Sequence, residues 1–139
     1  MKIHSSLSNN RRTAWRWIVL GAAFWLTPLV IYAAEKTLTG DRIPTMDGDL
    51  IMHPVNHASL LLGWKTEVIY VDPVGGAARY ANFPAATLVL ITDTHGDHLD
   101  LATLQAVAGE RADLIVSPAA AEKLPSGLRS RAKGLANGE

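Results

Sequence analysis

Past residue 50 the chain alternates short apolar runs with polar turns, and the period of each run predicts its structure. "LIMHPV" (50–55) is a short apolar run that Pro54 should end. "HASLLLGW" (57–64) and "TEVIYVDP" (66–73) have strand character, and Gly63-Trp64-Lys65 between them suits a tight hairpin connection. In the second segment Val68 and Tyr70 point one way and Ile69 and Val71 the other, so both faces are apolar and burial on both sides is expected. "VGGAARYANFP" (74–84) reads as a loop. "ATLVLIT" (86–92) is the most apolar strand and is expected at the centre of the sheet. Leu101, Leu104 and Ala108 then stand at i, i+3 and i+7, a helical stripe that Asp100 can cap and Gly109 can end. "DLIVSP" (113–118) is another buried-type strand, "AAAEKL" a short helix stopped by Pro125, and the closing "SGLRSRAKGLANGE" is polar. Antiparallel strands followed by strand–helix–strand predict an α/β domain, a mixed sheet carrying helices.

The N-terminal third reads differently. Residues 1–16 are polar and basic, residues 17–34 ("WIVLGAAFWLTPLVIYAA") carry no charge, and charges return at Glu35 and Lys36. This order is that of a secretory signal peptide ending near Ala33-Ala34. The alternative is a membrane anchor formed by 17–34. Eighteen helical residues reach only ~27 Å, just short of the hydrocarbon core, and Pro28 would kink them. His4, Trp15, Trp17 and Trp25 belong to this leader. Either way the basic flank puts the domain outside the cytoplasm, in the periplasm or extracellular space, with the membrane met only through the N-terminal segment. Residues 35–49 ("EKTLTGDRIPTMDGD") read as linker and entry loop, and 50–139 as the domain.

Composition narrows the chemistry. The 139 residues are 48% apolar and carry zero formal net charge. Beyond residue 34 there are nine cationic and thirteen acidic side chains, so no basic nucleic-acid face is present. Cysteine is absent, which excludes disulfides, thiolate ligands and a cysteine nucleophile. Gly75-Gly76 lacks the Lys-Ser/Thr of a phosphate loop, and Ser59 and Ser117 have no nucleophile context.

The dense chemistry lies in "ITDTHGDHLD" (91–100), directly after the apolar strand. Imidazole nitrogen and carboxylate oxygen from His95, Asp97 and His98 suit zinc, manganese or iron, and Gly96 lets the backbone bend close. Asp97 and His98 are adjacent and should point differently, so two neighbouring ion positions fit better than one. A solvated loop whose acids cap the next helix is the plainer alternative.

"THGDHLD" after an apolar strand resembles the H-x-H-x-D-H signature of the metallo-β-lactamase fold superfamily. "HASLLL", "EVIYVDPV" and "TLVLIT" in this order, and the closing "AEKLPSGLRSRAKGLANGE", resemble the branch of ascorbate-6-phosphate lactonase-like hydrolases, over roughly residues 50–139. The resemblance implies the N-terminal half of an αββα sandwich and a two-ion site, zinc first, with manganese or iron as alternatives. It implies a hydrolase that turns metal-activated water on an ester, lactone or phosphoester of a small-molecule substrate. By position His95 would bind the first ion, and Asp97 and His98 the second, with Asp97 also near the attacking water. Asp93 stands where the motif has its first histidine and would coordinate as a carboxylate. His57 matches a histidine near the active site, and Asp72 would brace the metal loop from a strand end. Asp100 would cap the helix and brace a ligand histidine, and His53 would be structural. No histidine follows His98, so the later ligands of that family are missing. The expectation is therefore a half-domain, weakly active or inactive alone, whose exposed sheet face needs a partner. A non-catalytic remnant and a membrane-tethered metal-binding domain are the alternatives.

Overall fold

The structure is a computed structural model and describes residues 35–139. Residues 1–34, expected to be a signal peptide or anchor, lie outside the described residues. Among the described residues no helix is long and apolar enough to cross a membrane.

One mixed sheet of seven strands forms the frame, and its spatial order is its chain order. The strands are β1 (Asp41–Thr45), β2 (Gly48–Asn56), β3 (Ser59–Trp64), β4 (Glu67–Val71), β5 (Leu88–Ile91), β6 (Asp113–Val116) and β7 (Ala132–Gly134). Strands β1 to β4 pair antiparallel. β4 to β7 pair parallel, through crossovers that carry a 3₁₀ turn (Ala77–Tyr80) and the helices α1 (Leu101–Val107), α2 (Pro118–Lys123) and α3 (Ser126–Arg129). The pattern thus leads to the α/β mixed sheet expected of it.

Local chemistry explains the joints. The β3–β4 hairpin pairs Trp64 with Glu67, leaving Lys65 and Thr66 as a two-residue turn with Lys65 at φ +55°. Asp100 caps α1 by accepting from the amides of Ala102 and Thr103, and Gly109 leaves the helix end at φ +50°. Ser117 caps α2, whose first residue is Pro118.

Several expectations do not hold, and the β3–β4 turn itself falls at Lys65-Thr66 with Gly63 and Trp64 inside β3. Residues 41–56 form a β-hairpin, so 35–49 is not simply linker; Asp47-Gly48, with Gly48 at φ +111°, makes the turn possible. Pro54 does not end the apolar run. β1 reaches only Met52, so the outer edge of β2 at Pro54 has no partner needing a donor, and the register shifts there. The polar tail forms α3 and the edge strand β7.

Burial is one-sided. Leu61, Tyr70, Val89, Ile91, Leu114 and Val116 point to one face and are buried with Leu104, Ala108, Ala120, Leu124 and Leu128 of the helical layer. The opposite face carries Leu60, Leu62, Ile69, Val71, Leu88, Leu90 and Ile115, all half-buried. The two-sided burial expected for 66–73 is therefore not observed among the described residues. Tyr70 shows how dry the covered side is: its hydroxyl donates to the Pro84 carbonyl at 2.7 Å, and burial, helped by Tyr80, pushes its pKa up to about 12.

Candidate metal centre

The parallel strands β4, β5 and β6 all run toward one end of the sheet, where open α/β sheets offer their ligand crevice. The segment 92–98 leaves β5 at that end. Its backbone closes into one tight turn, the His95 carbonyl accepting from the amides of His98 (3.0 Å) and Leu99 (2.8 Å). α1 then starts at once, so the loop is held between a strand and a capped helix.

Asp72, the residue after β4, is the anchor. It is 2% exposed and sits at φ +45°, a region that aspartate tolerates better than most residues. Its amide donates to the Leu90 carbonyl at 2.9 Å, and its carbonyl accepts from the Ser59 hydroxyl. Its carboxylate accepts from the Thr92 amide (2.7 Å), the Thr92 hydroxyl (2.6 Å) and His98 Nδ1 (2.9 Å). The hydrogen bond to Asp72 is the main reason the His98 pKa lies above its ordinary value.

The four candidate ligands fall into two pairs. His98 Nε2 lies 3.7 Å from Asp97 Oδ2, and His95 Nδ1 lies 3.1 Å from Asp93 Oδ1. Two ligands of one tetrahedral ion, each about 2.0–2.1 Å from it, stand roughly 3.4 Å apart. Adjacent Asp97 and His98 are therefore close enough to serve one ion, which removes the geometric argument that they must point to separate ions. The pairing of Asp93 with His95 is also a hydrogen-bond distance. Asp93 accepts from the Thr94 amide, and that bond, with His95 next, holds its pKa below the ordinary carboxylate value.

Donor chemistry fits a divalent ion, but each pair provides only two ligands. Among the described residues no group of three or more His, Asp or Glu side chains converges to hold an ion. A catalytic zinc site ordinarily takes three protein ligands. The described residues thus give two partial sets.

The remaining candidates separate clearly. Asp100 braces α1 and not a histidine: beyond its cap it accepts from the Thr103 hydroxyl at 2.6 Å, and that bond lowers its pKa. Thr103 in turn accepts from the Gly76 amide at 2.8 Å, tying the Gly75-Gly76 loop to the helix. His57 is exposed at φ +47° in the β2–β3 turn, at the same end of the sheet as Asp72. His53 packs its ring edge-on to Phe83 at 4.7 Å, a structural role. Sequence reasoning missed Thr92 and Lys123. The Lys123 ammonium donates to the Thr94 carbonyl at 3.3 Å, so α2 also reaches the loop. A cleft of ≈ 700 Å³ lined by Lys36, Asp49, Lys65 and Glu67 lies by the β3–β4 turn, at the other end of the sheet. Its Asp49 pairs with Arg42 and its Glu67 accepts from Thr87, so it offers less chemistry than the loop.

Fold and loop together describe an α/β domain with imidazole and carboxylate donors at the carboxyl end of its parallel strands. Among solved structures the chain is similar to a protein of Parabacteroides distasonis named as a metal-dependent hydrolase, at 34% identity and a TM-score of 0.61. The match covers 74% of this chain and 45% of that one, so this chain spans less than half of its length. That likeness supports a hydrolase fold for the matched span. No protein-family model matches the chain, and no curated protein does.

Proposed function

We infer that this chain carries the metal-loop portion of a metal-dependent hydrolase of the metallo-β-lactamase fold. The observation that carries the reading is the Asp97–His98 pair, with His98 held from behind by buried Asp72. Ligand histidines ordinarily donate their second ring N–H to a carboxylate in this way. Asp97 and His98 would hold one ion, and Asp93 and His95 would contribute to another. When bound, divalent zinc, manganese or iron supplies positive charge that favours ionised water and stabilises negative charge on oxygen. Asp72 keeps the His98 ring aimed outward. Asp97 lies open to the loop surface, where it can also accept a proton from water. The substrate would be a small ester, lactone or phosphoester.

Three companions of this reading concern the rest of the molecule. Residues 1–34 would act as an export signal or anchor, placing the domain in the periplasm or outside the cell. The half-buried apolar sheet face would be covered by further polypeptide of the same fold or by a partner. Alone, the chain would turn over substrate weakly or not at all, because two donor pairs are incomplete ligand sets. That incompleteness favours a second reading, a non-catalytic or metal-capturing domain.

The test is hydrolysis of lactone, ester and phosphoester substrates by the purified chain, with added zinc or manganese and again with chelator. Metal-dependent turnover that is lost in Asp97→Ala and His98→Ala supports the hydrolase. Metal binding without turnover supports the capturing domain. Absence of both leaves the remnant.

A further inference from the structure

We propose that Thr92 is a positioning residue for the metal loop, its hydroxyl fixing the proton of His98 on Nδ1 and the lone pair on Nε2. The value of this arrangement rests on the reading that His98 is a ligand; the arrangement itself does not.

Thr92 follows the last residue of β5, Ile91, which is 2% exposed, so its backbone is fixed by the sheet. Its amide donates to Asp72 Oδ1 at 2.7 Å and its hydroxyl to Asp72 Oδ2 at 2.6 Å. Both oxygens of the carboxylate are thus pinned by one residue, and χ2 of Asp72 is set. A threonine hydroxyl has a single proton. With that proton given to Oδ2, the hydroxyl oxygen faces His98 Nδ1, at 3.1 Å, with lone pairs only. Asp72 Oδ2 faces the same nitrogen at 2.9 Å and, as a carboxylate, can only accept. Two acceptors therefore meet at Nδ1, and the ring nitrogen between them must be the donor. A neutral imidazole has one N–H, so Nε2 is left with its lone pair, on the side of Asp97 Oδ2 at 3.7 Å.

Thr92 is needed because Asp72 alone leaves the geometry loose. Without the hydroxyl, Oδ2 loses its shortest donor and Nδ1 loses one of its two acceptors. The carboxylate can then turn about the single bond that the Thr92 amide still holds. The ring is released to exchange its proton between the nitrogens, and each molecule with hydrogen on Nε2 has no lone pair on that nitrogen to give an ion.

The experiment uses the ¹⁵N-labelled full chain, metal-free, with imidazole ¹⁵N–¹H correlation spectra at a pH where the ring is neutral. The His98 signals are identified by their loss in His98→Gln. The parent should show His98 protonated on Nδ1. Thr92→Val should show a mixture with a substantial Nε2–H form, and Thr92→Ser should restore the parental spectrum. Zinc titration read by competition with a chromophoric chelator should give a Kd about 10–100-fold weaker for Thr92→Val and near parental for Thr92→Ser. A parental His98 protonated on Nε2 overturns the proposal whether or not Thr92→Val folds. A folded Thr92→Val with the parental tautomer also overturns it. If the parent binds no zinc, the metal-site reading fails while the tautomer spectra still decide the role of Thr92.

Discussion

Replacing Asp72 with asparagine should weaken the fold as well as the site. Asparagine keeps the shape and tolerates the positive φ, so the change isolates charge and donor pattern. The carboxylate accepts from three donors, the Thr92 amide, the Thr92 hydroxyl and His98 Nδ1. A hydrogen bond to a charged group is worth about 1.5–3 kcal/mol and a neutral one about 0.5–1.5, so each bond loses about 1 kcal/mol. Against a loss of about 3 kcal/mol stands the smaller cost of burying a neutral amide, leaving about 2 kcal/mol of destabilisation. For a domain near one hundred residues that lowers Tm by about 8–16 °C. Thermal unfolding followed by circular dichroism of metal-free parent and variant measures it directly. The asparagine NH₂ must also donate where the carboxylate accepted, which forces His98 Nδ1 to become an acceptor. A variant with unchanged Tm would refute the claim that Asp72 anchors the loop electrostatically.

Other outcomes follow from the same contacts. Asp100→Ala removes the α1 cap and the Thr103 bond, and should cost about 1 kcal/mol in urea unfolding. Because the folded pKa of Asp100 is lowered, its contribution is present above about pH 3.9 and is lost as pH falls through the lower folded value; an acid titration of Asp100→Asn should lack that component. The His98 pKa is raised in the fold by Asp72, so its contribution is fully present below about pH 6.5 and disappears as pH rises through the folded value. The metal-free parent should therefore lose Tm on that alkaline side, and His98→Gln should not.

Much of this molecule can be read along the chain, because its signals are local. The Asp100 cap and the apolar runs of β5 and β6 each act within a few residues, whereas the β3–β4 turn, expected at Gly63-Trp64-Lys65, falls at Lys65-Thr66 because Gly63 and Trp64 still pair within the sheet. The β1–β2 hairpin was masked by its polar first strand, every residue of β1 being exposed, although Asp47-Gly48 marks the turn. β7 has three residues and one small apolar side chain, so no periodicity announces it. At the site, "DTHGDH" advertises donors, but which donors pair depends on side-chain directions in a tight turn. Thr92 reads as an ordinary strand end; only the approach of β4 to β5 brings Asp72 beneath it. The one-sided burial of the sheet was equally hidden, since an apolar strand looks the same whether one face or both are covered.

The proposed grip of the loop after β5 on a divalent ion runs through His98 Nε2 and the Asp97 carboxylate. Crystals soaked in zinc or manganese and measured at the metal absorption edge test it most directly. An anomalous peak is expected about 2.0–2.2 Å from both atoms, with His98 Nδ1 still on Asp72. A peak bound elsewhere, or His98 turned so that Nε2 faces Asp72 with no ion at the loop, would contradict it.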